Sequence, residues 1–243
     1  MRGNRPAACA VAFLIVVLAP GLAAQESGRA EHDMAGDDGM MGPMGDSTIM
    51  EKHLVLTPHW PEQPGDRARA DSLLVTARAA LGKYADVAKA ERDGYRMFAP
   101  MVKRQRIYHY SNRANAFKAR GTFDPAAPTA LLYSPEPGGK LRLVGAMYTA
   151  PADIPLEDLN QRIPLSIAQW HQHGNLCLPP GMSRRDMKEM GASSRDPRFG
   201  PRGSIATEEA CRAAGGEFEK RMLAWMVHVN MFESGDEVWE HKH

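Results

Sequence analysis

The chain has 243 residues, 43% of them hydrophobic and 24% charged, with a formal net charge of +1. That balance argues against a nucleic-acid binder, which needs a basic excess or stripe, and against a polybasic membrane-surface protein. No apolar stretch reaches the roughly 20 residues of a membrane-spanning helix, while 15 Met and 9 His, unevenly spread, stand out.

Residues 1–24 read as a cleaved secretory signal peptide. Arg2 and Arg5 form a positive start, Ala7 to Ala19 an apolar run, and Gly21-Leu22-Ala23-Ala24 a small-residue cleavage site. Cys9 does not follow the apolar run, so it leaves with the signal and is not a lipoprotein cysteine. The expected location is the periplasm or the exterior, with no membrane span after cleavage. Residues 25–50 hold Glu31-His32-Asp33-Met34 and Met40-Met41-Gly42-Pro43-Met44 and almost no branched apolar residues. Such a stretch buries too little to offset its ordering entropy and is expected to be disordered. It is either a plain linker or a metal-scavenging tail, since thioethers suit Cu(I) and His with Asp suit Cu(II) or Zn.

Residues 51–243 read as one α+β domain, a mainly antiparallel sheet covered by a long N-terminal helix. Leu54-Val55-Leu56 is a short strand. Asp66 is expected to cap a helix from Arg67 to Met97, with Leu73, Leu74, Ala77, Leu81 and Tyr84 at helical spacing and Gly82 tolerated inside it. Strands follow at 106–110, 130–133 and 141–148, the last two joined as a hairpin across Pro135, Pro137, Gly138 and Gly139. Pro151 to Pro164 is a loop or short helix. Residues 179–203, rich in Gly, Pro, Ser and Arg, form a long loop of the kind that is disordered or functional. Thr207 caps a short helix ended by Gly215-Gly216.

Two segments carry the chemistry. Read as strands, Trp170-His171-Gln172-His173-Gly174-Asn175-Leu176-Cys177 puts His171, His173, Asn175 and Cys177 on one face. Met226-Val227-His228-Val229-Asn230 puts Met226, His228 and Asn230 on one face, leaving Leu223, Trp225, Val227, Val229 and Met231 as a core face. If the strands are neighbours, His171, His173 and His228 converge on one ion and leave an open position, as in catalytic zinc sites. Copper or zinc suits imidazole nitrogen best. His109 is a fourth ligand, a supporting group or a sheet histidine, and Asn175 and Asn230 are supporting amides. His53, His59, His241 and His243 are expected at the surface. Cys177 and Cys211 are expected to form a disulfide, the usual reading of an even count in an exported protein, with a cysteine-ligated copper site as the competing reading.

Several stretches resemble an uncharacterised family of exported bacterial proteins: Tyr108-His109-Tyr110-Ser111-Asn112, Leu143 to Thr149, Trp170-His171-Gln172-His173 to Cys177, Cys211 to Gly216, and Trp225-Met226-Val227-His228-Val229. The resemblance covers most of residues 100–232 and implies an exported protein with a histidine-based metal centre, but no activity. Cupins also carry His-x-His on a strand, yet the Glu they need is missing between Gly174 and Gly181. No phosphate loop, Gly-x-Ser-x-Gly elbow or His-Glu-x-x-His helix is present. Three readings therefore stand: metal sequestration or delivery, a metal-dependent hydrolase or oxidoreductase at the open position, and an exported structural domain without metal. A metal ion is the one partner expected; the sequence names no protein partner.

A chain beginning at Glu51 is expected to melt within about two degrees of the full-length protein, because an unpacked tail contributes little buried area. Scanning fluorimetry checks this, and a large loss of stability would mark an ordered element within residues 25–50.

Overall fold

The computed structural model describes residues 52–100, 104–183 and 196–240. The expected signal peptide, the 25–50 linker, the centre of the 179–203 loop, His241 and His243 lie outside these residues. The described residues all belong to one unit, spanning 37–243.

Eight strands form one antiparallel sheet. They are β1 (Leu54–Leu56), β2 (Arg96–Met97), β3 (Tyr108–Ser111), β4 (Ala130–Pro135), β5 (Leu141–Ala150), β6 (His171–Leu178), β7 (Glu217–Arg221) and β8 (Trp225–Val229). Their spatial order is β1-β6-β8-β5-β4-β3-β2, with β7 paired to β6. Among the described residues five helices accompany them: α1 (Asp66–Leu81), α2 (Val87–Arg92), α3 (Arg113–Lys118), α4 (Leu156–Arg162) and α5 (Glu208–Ala213). The α+β class and the β4–β5 hairpin match the sequence reading. β7, whose Glu-Phe-Glu-Lys-Arg carries four charges, has no apolar alternation and escaped it.

The single long helix expected over 67–97 is not formed. α1 stops at Leu81, a 3-10 turn spans Gly82–Ala85, and α2 restarts at Val87. Asp86 adopts an extended backbone and accepts a hydrogen bond from the Ala88 amide, a new N-cap that favours a break over continuation. Asp66 is the first helical residue rather than the cap. Its carboxylate accepts from the Ser166 hydroxyl at 2.6 Å, which holds its pKa below the usual range.

The two faces of the sheet differ. One packs Tyr110, Leu131, Tyr133, Ala146, Tyr148 and Val227 against Leu74, Ala77 and Leu81 of α1 in a single apolar cluster. The Tyr133 hydroxyl donates to the Tyr84 carbonyl at 2.7 Å, so that this buried phenol is satisfied. The end of β8 is tied to α1 by Arg78, whose guanidinium donates to the Met231 and Glu233 carbonyls at 2.5 and 2.7 Å. Of the expected β8 core face, Trp225, Val227, Val229 and Met231 join the cluster. Leu223 does not; it lies in the bend before the strand and is exposed.

Cys177 and Cys211 form the expected disulfide, with Cα atoms 5.4 Å apart and a separation of 34 positions in sequence. It joins β6 to α5, and the Thr207 hydroxyl caps that helix by accepting from the Ala210 amide. Replacing both cysteines with Ser is expected to cost about 4 kcal/mol in the chain-entropy account of a loop this long. Denaturant unfolding measures it; an unchanged midpoint would show that the bridge constrains nothing.

Candidate metal centre

The site grows from the register of four strands. His228 stands opposite Met147 on β5, and His171 opposite Met226 on β8. Opposed residues of antiparallel strands share a face, and residues two apart along a strand share it too. His171, His173 and His228 therefore occupy one face, the one turned away from the apolar cluster. On β3, His109 pairs with Leu132, which pairs with Gly145, two residues from Met147. His109 thus falls on the same face, although two strands separate β3 from β8.

The rings form a continuous run. Centroids lie 5.8 Å apart for His173 and His171, 5.2 Å for His171 and His228, and 5.6 Å for His228 and His109. The first two pairs meet edge to face, at 87° and 85°. Between His109 and His228 the intervening strands carry Ala130 and Leu132 of β4 and Gly145 and Met147 of β5 on this face. A Cβ at Gly145 would run into the Val229 carbonyl oxygen, so this position admits no side chain without moving β8. A Cβ at Gly174 would likewise meet the Lys220 carbonyl, which accounts for the Gly that follows His173.

His109, His171 and His228 are buried and His173 is half-buried. Burial pushes the His109 imidazole down to about 4, with His173 adding a smaller repulsion and a backbone hydrogen bond at Ile107 opposing both. Burial, then His53, lowers His173. Among the described residues no carboxylate contributes to either shift. The Nδ1 atom of His109 is buried without a hydrogen-bond partner among the described residues. Neutral imidazoles with available nitrogen lone pairs are the form in which histidine binds metals. Among the described residues no three His, Cys, Asp or Glu side chains are disposed to hold an ion as they stand.

The structure brings together the histidines that the sequence singled out, with two differences, at the asparagines and at His53. Asn175 and Asn230 spend their amides on backbone: Asn175 donates to Lys52 O at 3.3 Å, and Asn230 to Glu237 O and Glu240 O at 2.9 Å each. They brace chain segments rather than hold the imidazoles. His53 is buried, not at the surface; its ring nitrogens lie 2.9 and 2.7 Å from the Asn175 and Gly203 carbonyls, tying three segments together. Cys177 is bonded to Cys211 and so is no copper ligand. His59 is exposed as expected. Met147 was missed as a neighbour of His228, because only the β5–β8 register reveals it. The chain matches no family model, no curated protein and no solved structure.

His109 takes up a proton near pH 6.5 when unfolded and only near pH 4 in the fold. Between those values the unfolded chain binds more protons, so stability falls as pH drops below about 6.5 and levels off below about 4, by about 3 kcal/mol in all. His109→Asn, which does not titrate, is expected to show a shallower loss of melting temperature over that range. Parallel pH profiles for the variant and the wild type would contradict the assignment.

Proposed function

We propose that this is an exported metal-binding protein that sequesters or delivers copper or zinc through His171, His173 and His228, with His109 as a fourth or supporting imidazole. One observation carries the reading: four imidazoles from three strands run together on a face that the apolar core does not use. Two imidazoles on one tetrahedral ion, with metal–nitrogen bonds of about 2.0 Å, hold their centroids roughly 5 Å apart. The observed 5.2 to 5.8 Å is close to that spacing. Closing round an ion takes rotation about the terminal histidine torsions, which are broad. Export is supported by the signal-like N-terminus and by the disulfide, a bond that persists in oxidising compartments. Among the described residues no carboxylate contributes to the shifts of His109 and His173, which favours storage or delivery over hydrolysis.

Replacing His171, His173 or His228 with Ala is expected to lower zinc or copper affinity by orders of magnitude and to shrink the metal-dependent rise in melting temperature, because binding to the native state stabilises it. His109→Ala separates a ligand from a supporting group, whose loss costs only about 10- to 100-fold. Variants destabilised equally with and without metal, beside a wild type that gains no stability from zinc or copper, would retire the metal reading and leave structural histidines.

A further inference from the structure

We propose that the ion this site is built for is monovalent copper, and that the thioethers of Met147 and Met226 serve as its soft ligands beside His171 and His228. The inference rests on the metal-binding reading above and specifies its cargo.

Both methionines are fixed by register. Met147 is the cross-strand partner of His228, and Met226 that of His171. Directly opposed residues have Cβ atoms about 5 Å apart, within reach of a long side chain. Met226 also lies two residues from His228, so it flanks both imidazoles on one face. The two methionines are not explained by the core. Met226 is buried yet belongs to none of the apolar clusters, and Met147 is half-buried and outside them too. On the other face the same strands use Val227, Val229, Ala146 and Tyr148, the packing residues expected of a core.

Ligand softness then points to the ion. Thioethers select Cu(I), whereas zinc and Cu(II) are well served by imidazole alone.

The test uses the full chain, with Cu(I) kept reduced by ascorbate and competed against a chromophoric chelator, and zinc and Cu(II) titrated separately. The probe variant is the near-isosteric double substitution Met147→Leu and Met226→Leu. It is expected to lose Cu(I) affinity by at least about tenfold while zinc affinity stays within about threefold. X-ray absorption of the Cu(I)-loaded wild type should show sulfur bound to copper, and the double variant should lose that signal. Unchanged Cu(I) affinity, or a sulfur signal that survives in the variant and so comes from the methionines of residues 25–50, overturns the proposal. A wild type that binds zinc or Cu(II) but shows no copper–sulfur scattering overturns the choice of ion alone. A wild type that binds none of the three ions overturns the metal-binding reading itself.

Discussion

The pairing of β5 with β8 decides which side chains face which way. With Ala146 opposite Val229 and Met147 opposite His228, valine and tyrosine enter the core while histidine and methionine turn to the other face. Side chains alternate with a period of two, so a slip of one residue would bury His228 in the apolar cluster and lift its valines out. Two contacts oppose that slip. The Val229 carbonyl sits where a Cβ of residue 145 would be, which only glycine permits. Arg78 grips the carbonyls of Met231 and Glu233 just beyond the strand, locking its end to α1. The site therefore depends on backbone placement several residues from any imidazole.

β6 is held with similar redundancy. β1 pairs with its first three residues, with Leu54 and Leu56 opposite His173 and His171. The His53 amide segment continues that edge, since the Gly174 amide donates to the His53 carbonyl at 2.9 Å. β7 pairs with the remainder, and the disulfide closes its far end onto α5. His-x-His thus sits on a strand anchored on both sides of the motif. Such anchoring offsets the cost of keeping imidazoles out of water. A buried neutral imidazole without a partner costs free energy that a bound ion would recover, and the Nδ1 atom of His109 is in that position among the described residues.

Much of this was legible in the chain. The alternation of Met226-Val227-His228-Val229 named both faces of β8, and His-x-His named one face of β6, because a strand imposes a fixed period on its side chains. Turn residues located the β4–β5 hairpin, and an even cysteine count located the disulfide. What was not legible depends on cross-strand register or on competition between local preferences. Nothing near Met147 announces that it faces His228. His53 looks like a surface residue in Glu51-Lys52-His53 until Asn175 and Gly203 close over it. The helix from 67 fails at Gly82 and Asp86 because a cap offered by one aspartate outweighs a periodicity that runs on through Val87 and Ala88. The asparagines were read by their position on a strand face, but Asn175 adopts a left-handed backbone at φ 54°, which takes it out of strict alternation and turns its amide toward Lys52.

The choice between holding an ion and using it for chemistry turns on charge. A hydrolytic centre needs a base beside the metal-bound water and a group to accept the charge that develops. Among the described residues the imidazoles neighbour one another, with methionines at the cross-strand positions of His171 and His228 and Leu132 opposite His109. His109 is a poor acceptor of protons: burial holds it near 4, so it stays neutral across the physiological range. A ring of that kind offers little to a proton-transfer reaction and fits the reversible capture proposed above better than hydrolysis.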